Sequence, residues 1–280
     1  MQNVQKMRQL LNVKKTLVAP GVYDGLSGLL AKQAGFPLLY ASGGAIARSA
    51  GYPDLGLLTL SEIITQVSHI VSVTQLPVIA DADTGFGNAI NMARTVREFE
   101  NIGVAGIHIE DQTFPKRCGH LDNKTLISKE EMCHKIKVAQ QSKKNPDFLI
   151  IARTDAIGAE NIDSAIDRAL AYQNAGADMI FIEAPTSLEQ IELIAVKIKG
   201  FKLINMFHGG KTPVVPLKTL ESLGFSIVIV PSDLQRAAIK AMQKTLGVIH
   251  KTGNSMEIDK ELTSFDEREK ILGTDTYLKL

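Results

Sequence analysis

The segment Pro77-Val78-Ile79-Ala80-Asp81-Ala82-Asp83 gives the clearest indication of the fold of this chain. An apolar run that ends in carboxylates is typical of a buried parallel strand whose end reaches a polar rim. A glycine-rich turn, Thr84-Gly85-Phe86-Gly87, follows the run, and the residues from Ala89 to Ile102 repeat apolar side chains at three and four positions. The segment is therefore predicted to form a strand, a turn and a helix, which together make one βα unit.

The same unit recurs along the chain, because short β-rich apolar runs alternate with segments of helical period. Clear helical periods also occur from Ala159 to Ala175 and from Leu188 to Ile198. Eight runs favour a closed α/β barrel, the (β/α)8 TIM barrel, over an open sheet. The runs are Leu17 to Pro20, Leu38 to Ser42, Pro77 to Asp83, Ala105 to Asp111, Leu149 to Asp155, Met179 to Ala184, Lys202 to Met206 and Ser226 to Pro231.

A single barrel domain is predicted to span residues 1–280, because 280 residues with 45% hydrophobic content can bury one large core. No linker or low-complexity segment interrupts the series of βα units. After Ser232 the chain has a helical period to about His250 and then becomes polar. Residues 242–280 are therefore predicted to form a C-terminal helical extension.

The charge balance excludes several classes of partner. Lys and Arg number 31 against 30 Asp and Glu, so the net charge of +1 provides no basic stripe for nucleic acid. The residues from Met1 to Leu11 lack the long apolar core of a signal peptide or membrane span. Only two cysteines occur, Cys118 and Cys133, which suits a reducing compartment. We therefore expect a cytoplasmic protein with a small-molecule partner and neither a nucleic-acid nor a membrane partner.

The ends of the third and fourth strands carry converging carboxylates. Asp81 and Asp83 share one face of the third strand, and Glu110 shares a face with His108 on the fourth. In a (β/α)8 barrel these C-terminal strand ends form the active site. Oxygen ligands without a zinc-like His and Cys cluster predict Mg²⁺, with Mn²⁺ as the second option. A turn capped by Asp side chains is the alternative interpretation.

Further polar residues end the next three strands. Arg153 and Asp155 end the fifth strand, Glu183 the sixth and Asn205 the seventh. The planar guanidinium of Arg153 can bind a substrate carboxylate through two hydrogen bonds, or it can form a structural ion pair with Asp155 or Glu183. His108 is a candidate for substrate binding, with a hydrogen-bonded core residue as the alternative.

Two loops add candidate groups. The second strand ends Tyr40-Ala41-Ser42-Gly43-Gly44, whose glycines either expose backbone N–H groups to an anionic oxygen or form a plain turn. After the fourth strand, Lys116-Arg117-Cys118-Gly119-His120 places two cations and an imidazole beside a thiol. We expect these neighbours to stabilise the Cys118 thiolate, so that the thiol transfers protons near neutral pH. A solvated basic turn is the alternative.

Seven motifs make the chain resemble the isocitrate lyase and phosphoenolpyruvate mutase superfamily, and within it the methylisocitrate lyases. They are Tyr40 to Gly44, Gly51 to Gly56, Asp81 to Gly87, His108 to Gln112, Lys116 to His120, Ala152 to Asp155 and Gly209 to Pro213. The resemblance extends from about Val18 to Ala241. It implies a Mg²⁺-dependent (β/α)8 barrel, often a homotetramer in which subunits exchange the last helix.

The resemblance also implies which residues bind the metal and the substrate. Asp83 would bind Mg²⁺ most directly, and its water shell would be held by Asp54, Asp81 and Glu110. The substrate carboxylates would contact Ser42, Gly43, Gly44 and Arg153.

The same resemblance implies the catalytic groups. Cys118 would serve as general acid and protonate the carbanion, with His120 and Arg117 tuning its chemistry or binding nearby. The general base would be Tyr40 or a metal-linked carboxylate. Loss of a hydroxyl proton, stabilisation of a keto product and protonation of a carbanion are the three steps that such a cleavage requires.

The implied reaction cleaves a carbon–carbon bond in a 2-hydroxy di- or tricarboxylate such as 2-methylisocitrate, which yields pyruvate and succinate. The segment Asn205 to Gly210 departs from the Asn-x-Thr-Glu-x-Gly pattern of methylisocitrate lyases by carrying Phe207 and His208. The C-terminal segment offers Phe265-Asp266-Glu267-Arg268 in place of their Met-Gln-Thr-Arg motif. These departures introduce 2,3-dimethylmalate lyase and oxaloacetate-hydrolysing relatives as alternatives, while the cysteine loop favours a lyase.

Two other interpretations are weaker. Phosphoenolpyruvate mutases and phosphonopyruvate hydrolases share the Asp-Thr-Gly turn and an opening like Asp111 to Lys116, but they typically lack Cys-Gly-His. A non-catalytic barrel is the last alternative, because fold alone does not fix function. Within the lyase interpretation, the polar segment Gln112 to Lys124 is predicted to be a lid that closes over substrate.

Overall fold

Eight parallel strands form a closed barrel in which each strand pairs with its neighbours in chain order and β8 pairs with β1. The computed structural model describes residues 2–13 and 15–280. The predicted (β/α)8 barrel is confirmed, and the predicted runs differ from the strands by at most two residues at either end. The strands are β1 Leu17–Val22, β2 Leu39–Ala41, β3 Val78–Asp81, β4 Gly106–Glu110, β5 Leu149–Thr154, β6 Met179–Ile182, β7 Phe201–Asn205 and β8 Ile227–Val230.

Helices connect the strands and continue beyond β8. They are α1 Gln2–Asn12, α2 Gly25–Gln33, α3 Gly43–Ser49, α4 Leu60–Thr74, α5 Ala89–Asn101, α6 Lys129–Ser142, α7 Ala156–Ala159, α8 Ile162–Asn174, α9 Leu188–Lys197, α10 Leu217–Ser222, α11 Asp233–Thr252, α12 Phe265–Leu272 and α13 Thr274–Tyr277, with a 3-10 helix at Met256–Glu261. Across residues 2–13 and 15–280, no helix combines the length and the apolar character needed to cross a bilayer.

Two predicted helix boundaries differ from the structure for local reasons. The helix predicted from Ala159 begins at Ile162, because Asn161 caps it by accepting a hydrogen bond from the Ser164 N–H. The predicted first residue of the C-terminal extension, residue 242, lies inside α11. That helix continues to Thr252 and ends at Gly253, whose φ of 77° suits glycine.

Period-two alternation divides the side chains of each strand between two layers. On β3, Ile79 points into the barrel interior, whereas Val78 and Ala80 pack in the outer layer against the helices. The inward positions change from apolar to polar towards the C-terminal end of the barrel. This change occurs from Ile79 to Asp81, Ile151 to Arg153, Phe181 to Glu183 and Leu203 to Asn205. The polar groups therefore converge at one end of a packed barrel.

Helix α1 closes the opposite end of the barrel. Its Met7 and Leu11 pack with the apolar residues of the barrel interior. Arg8, on the same helix, donates from its guanidinium to Asp178 Oδ1 at 2.8 Å and to the carbonyl oxygen of Asp147 at 2.8 Å. Asp178 also accepts from Gln140 and from the backbone N–H of Ile150. These contacts close the N-terminal end of the barrel interior, so the polar residues within the barrel are accessible from its C-terminal end.

We expect Asp178→Asn to lower the free energy of unfolding by about 1–3 kcal/mol at pH 7, because charge-assisted hydrogen bonds to Arg8 are lost. Burial raises the pKa of Asp178, but hydrogen bonds from Arg8, Ile150 and Gln140 outweigh it and place the pKa below its ordinary value. A depressed carboxyl pKa stabilises the fold above about pH 4, and this stabilisation disappears as the pH falls through the folded-state pKa.

Urea unfolding at pH 7 and at pH 3 measures this difference. The difference in the free energy of unfolding between wild type and Asp178→Asn should be smaller at pH 3 than at pH 7. Glu192→Gln, which changes an exposed carboxylate on α9, serves as the control. A gap that is the same at both pH values would contradict the assigned ionisation of Asp178.

Candidate active site

A cavity of about 290 Å³ opens at the C-terminal end of the barrel, between the strand ends and α11. We call it the mouth cavity. Ten of the residues predicted for the site line it: Tyr40, Ser42, Gly44, Asp54, Asp81, Cys118, His120, Arg153, Glu183 and Asn205. The other five predicted residues, which are Gly43, Asp83, His108, Glu110 and Arg117, do not line it.

A cluster of carboxylates surrounds the Lys116 ammonium beside the mouth cavity. Lys116 is 3% exposed, and its Nζ contacts Asp54 Oδ1 and lies 2.8 Å from Asp83 Oδ1. Burial by itself lowers the pKa of Lys116, but Asp83, Asp54 and Glu110 outweigh this effect and raise the pKa well above its ordinary value. Lys116 is therefore a permanent cation that holds several acids close together.

The backbone turns sharply to aim Asp83 at this cluster. Asp83 has a φ of 46°, in the left-handed region that few residues other than glycine adopt, and its N–H donates to Asp81 Oδ1 at 3.0 Å. Burial raises the pKa of Asp83 to about 6, with Asp81 and Asp54 adding to the rise and Lys116 opposing it. Burial also raises the pKa of Glu110 well above its ordinary value.

The donor set fits a hard divalent cation. Six carboxylates and three buried cations meet at the strand ends: Asp54, Asp81, Asp83, Glu110, Asp155 and Glu183 with Lys116, Lys124 and Arg153. Asp83 Oδ1 and both Glu110 carboxylate oxygens are buried and lack an aligned hydrogen-bond donor. In residues 2–13 and 15–280, no three His, Cys, Asp or Glu side chains form a direct metal-binding group. Mg²⁺ suits such a site, because it usually retains waters and binds only one or two carboxylates.

Arg153 is held by structural ion pairs on most sides. Its Nε lies 2.9 Å from Asp155 Oδ2 and its Nη2 lies 3.1 Å from Asp155 Oδ1. Glu110 and Glu183 approach Nη1 and Nη2 at 3.2 and 3.5 Å. The guanidinium also lies over the Phe181 ring, 5.3 Å from its centroid. The sequence left ion pairing and substrate binding as alternatives for Arg153, and the structure shows ion pairs for a side chain that still lines the cavity.

Two glycines allow the carboxylates to approach α3 closely. A Cβ atom on Gly43 would lie 2.8 Å from Asp81 Oδ2, and one on Gly44 would lie 2.6 Å from Asp54 Oδ2. Ser42 caps α3 by accepting a hydrogen bond from the Ala45 N–H at 3.3 Å. Glycine is needed here for close approach and not for an unusual φ.

Tyr40 is held as a phenol above a buried histidine. Its hydroxyl lies 2.8 Å from His108 Nε2 and 3.4 Å from Asp81 Oδ2. Burial, with a further contribution from Asp81, raises the pKa of Tyr40 well above its ordinary value. Burial lowers the pKa of His108, which is fully buried between the rings of Tyr40 and Phe181. His108 thus positions Tyr40 from beneath the cavity, while Tyr40 offers a protonated hydroxyl.

Lys124 ties the loop that carries Cys118 to the barrel. Its buried ammonium donates to the carbonyl oxygen of Gly119 at 2.6 Å and to Asp155 Oδ1 at 2.8 Å. A Cβ atom on Gly119 would lie 2.5 Å from Arg153 Nη2 and 2.7 Å from Glu183 Cγ. Only glycine therefore lets this loop pack directly on the ion pairs of the barrel.

The expected thiolate at Cys118 is not supported. The thiol is half-buried and lines the mouth cavity, and burial raises its pKa, with Asp54 adding to the rise. Arg153 and Lys116 lower the pKa, but by less. Sequence proximity to cations predicted the opposite direction, because it does not register burial. Cys118 therefore enters the cavity as a protonated thiol.

His120 is held at both ring nitrogens. The backbone N–H of Lys211 donates to His120 Nδ1 at 3.2 Å, and Asn205 Nδ2 lies 3.3 Å from Nε2. Nε2 faces Glu183 Oε1 at 3.9 Å, and burial lowers the pKa of the ring. Arg117, by contrast, has an exposed side chain, and only its backbone is fixed, by two hydrogen bonds to the Gln112 side chain.

Sequence reasoning missed the wall of the cavity that α3 and α11 supply. Arg48 Nε donates to Gln235 Oε1 at 2.8 Å, and Gln235 Nε2 donates to the carbonyl oxygen of Ala45 at 2.8 Å. Arg236 and Phe207 stack nearby, with 5.4 Å between the guanidinium carbon and the ring centroid. No spacing motif marks these residues, since they lie up to 190 positions apart in the chain.

Most of the chain is similar to known proteins. The family described as phosphoenolpyruvate phosphomutase matches residues 7–250. A 2,3-dimethylmalate lyase from Eubacterium barkeri is 44% identical over 98% of this chain and 96% of its own length. A 2-methylisocitrate lyase from Aeropyrum pernix is 46% identical over 98% of this chain and 88% of its own length.

A solved structure carries the same architecture. The crystal structure of a 2,3-dimethylmalate lyase, described as a phosphoenolpyruvate mutase/isocitrate lyase superfamily member, has a TM-score of 0.93 and 36% identity, and covers 99% of this chain and 93% of its own. Its similarity extends through the barrel and the C-terminal helices alike.

We expect Lys124→Met to lower the free energy of unfolding by about 3–5 kcal/mol, because it leaves the buried carboxylate of Asp155 with one cation fewer. The released Gly119 carbonyl should also expose the loop, so that trypsin cuts faster after Arg117. Lys129→Met removes a partly exposed lysine paired with Asp167 and should leave the free energy of unfolding almost unchanged. Equal unfolding energies for the two variants would contradict the role assigned to Lys124.

Proposed function

The chain belongs to the phosphoenolpyruvate mutase/isocitrate lyase superfamily as a carbon–carbon lyase, and we propose that it cleaves a 2-hydroxy di- or tricarboxylate of the 2-methylisocitrate type. One observation carries the proposal: a protonated thiol, Cys118, lines the same cavity as the carboxylates of Asp54, Asp81 and Glu183. In such a cavity a carboxylate can accept the proton of a substrate hydroxyl, and the thiol can donate a proton to the neighbouring carbon.

The reaction balances for 2-methylisocitrate. The 2-hydroxyl loses its proton, the bond between C2 and C3 breaks, and its electron pair moves to C3. C2 becomes the keto carbon of pyruvate, while C3 receives a proton from the Cys118 thiol and completes succinate. The raised pKa of Cys118 keeps the thiol protonated until the carbanion develops beside it.

The proton acceptor is assigned to the carboxylate cluster in preference to Tyr40. The pKa of Tyr40 is raised well above its ordinary value, so its phenolate is scarce near neutral pH. A phenol can instead donate a hydrogen bond to a substrate oxygen on which negative charge develops. His108 would hold that phenol in place through its 2.8 Å contact.

Asp83 and Glu110 are proposed to hold Mg²⁺, or alternatively Mn²⁺, directly or through water, with Asp54 and Asp81 completing the shell. When bound, the cation would supply Lewis-acid stabilisation of the substrate oxygens. The buried oxygens of Asp83 and Glu110, which lack an aligned hydrogen-bond donor, support this assignment. The chain's own groups remain responsible for orienting the substrate and for moving protons.

Substrate carboxylates are proposed to bind at Ser42, Gly43 and Gly44, and at the cavity face of Arg153. Phe207, Pro231 and Ile239 give the same cavity an apolar lining. This lining suits a methyl substituent on the substrate, and it makes 2,3-dimethylmalate the second candidate. Arg48 and Arg236 also line the cavity and suit a third carboxylate, which favours 2-methylisocitrate.

Incubation with Mg²⁺ and separate substrates tests the assignment. Product NMR should show pyruvate and succinate from 2-methylisocitrate, or pyruvate and propionate from 2,3-dimethylmalate, and neither after chelation with EDTA. Oxaloacetate and phosphonopyruvate serve as substrates of the other reaction classes. Turnover of phosphonopyruvate alone would replace the lyase proposal by phosphonate chemistry.

Cys118→Ser should lower kcat by about 10²- to 10⁴-fold, because a hydroxyl is a weaker acid than the thiol it replaces. Cys133→Ser is the matched control, since Cys133 lies on α6 with its Sγ 3.6 Å from the carbonyl oxygen of Ala171. An unchanged kcat in Cys118→Ser would remove this thiol from the proton-transfer step.

A homotetramer in which the C-terminal helices are exchanged between subunits is proposed as the assembly. Ile239, Met242, Leu246 and Ile249 recur at three and four positions on α11 and are all at least 40% exposed. Gln235 is the only buried residue of this 20-residue helix.

The two cysteines are unpaired, which agrees with the proposed reducing cytoplasm.

Leu246→Glu should dissociate the assembly, because it places a charge within this apolar stripe. Light scattering of the purified protein measures the mass, and Lys251→Glu changes an exposed residue of the same helix as the control. Identical masses for wild type and Leu246→Glu would exclude this stripe as a subunit contact.

A further inference from the structure

A second cavity lies outside the barrel and is larger than the mouth cavity. Its volume is about 570 Å³, and it opens between the start of α4, the β3–α5 turn and α6. We call it the outer cavity. Its walls are mainly apolar, formed by Leu57, Leu60, Phe86, Phe114 and Ile127. None of these side chains takes part in the proposed reaction.

One buried cation faces this apolar space. Lys135 lines the outer cavity and is 4% exposed, although lysine is among the residues that are least often buried. Within residues 2–13 and 15–280, the ammonium group of Lys135 makes one hydrogen bond, to the carbonyl oxygen of Thr84 at 3.1 Å. An ammonium has three donors, so a further acceptor can be bound. Burial lowers the pKa of Lys135, and Glu131 offsets this only in part.

One buried ammonium is available to a negative charge at this cavity. Arg94 and Glu131 also line it, but Arg94 Nε already lies 3.7 Å from Glu98 Oε1, which leaves Lys135 as the cation that faces the cavity. A phosphate would call for more donors than this set provides, whereas a carboxylate needs one or two. The apolar walls would bury the tail of such an acid.

The first residues of the active-site loop, which we define as residues 112–124, line the outer cavity. Gln112 lines the cavity, and its side chain binds both the N–H and the carbonyl oxygen of Arg117 at 2.9 and 2.8 Å. Phe114 also lines it and is 65% exposed. A bound molecule would therefore contact Gln112 and Phe114, which precede Cys118 in the active-site loop.

We propose that the outer cavity binds a small monocarboxylate with an apolar tail, which pairs with Lys135 and holds the active-site loop against the barrel. Bound acid buries the exposed Phe114 and fixes Gln112, so the loop that carries Cys118 opens less often. This is a regulatory site, separate from the mouth cavity and independent of which substrate the protein cleaves.

Calorimetry with the intact wild-type protein provides the first test, with hexanoate as the probe and hexan-1-ol as its uncharged match. Hexanoate should bind at least tenfold more tightly than hexan-1-ol, about the effect of one charge-assisted hydrogen bond. Lys135→Met should remove this preference. Equal affinities for the two probes, or no binding of hexanoate at 20 mM (roughly the weakest affinity of interest), would overturn the proposal.

Two further variants keep the test decisive if Lys135→Met is unstable. Leu57→Asp places a negative charge at the rim, where Leu57 is 54% exposed, and should weaken hexanoate binding without unfolding the protein. Phe207→Ala alters the mouth cavity alone and should leave hexanoate binding unchanged. Loss of binding in Phe207→Ala would place the acid in the mouth cavity and would contradict a second site.

Trypsin cleavage after Arg117 reports on the loop without any assay of activity. Saturating hexanoate should slow this cleavage by at least about fivefold, the lower end of typical coupling between sites. Gln112→Ala should bind hexanoate but lose the protection, because the link to Arg117 is cut. Protection that persists in Gln112→Ala, or that is absent in wild type, would refute the coupling between cavity and loop.

Discussion

An excess of buried negative charge at one end of the barrel constrains the rest of this structure. An unpaired buried ion costs several kcal/mol, so two of the buried cations serve more than one acid. Arg153 contacts Glu110, Asp155 and Glu183, while Lys116 serves Asp54 and Asp83. The charge that these cations leave uncompensated is the physical reason why the site suits a divalent metal ion.

The fold supplies what this cluster needs. A closed barrel brings strand ends that are distant in sequence to one rim, and α1 seals the other end with apolar side chains. Glycines at the rim let backbone and carboxylate approach within distances that a Cβ atom would block. The packed interior keeps water from screening the charges, which strengthens both their attraction and the cost of leaving one unpaired.

The active-site loop depends on the same charges. Lys124 joins its Gly119 carbonyl to Asp155, and Asp155 in turn pairs with Arg153. On the outer side, Gln112 fixes the backbone of Arg117. The position of Cys118 is thus linked to the barrel rim on one side and to the outer cavity on the other, which gives a ligand at either place a route to the thiol.

The amino-acid pattern is enough to predict the eight βα units and the direction of the side chains at each strand end, because a two-residue period separates barrel interior from outer layer. Asp81, Glu110, Arg153 and Asn205 are thereby predicted to face inward. The ion pairs of Arg153, the wall that α11 supplies and the raised pKa of Cys118 arise in the folded molecule. These properties depend on burial and on distances between residues far apart in the chain, which local sequence patterns do not encode.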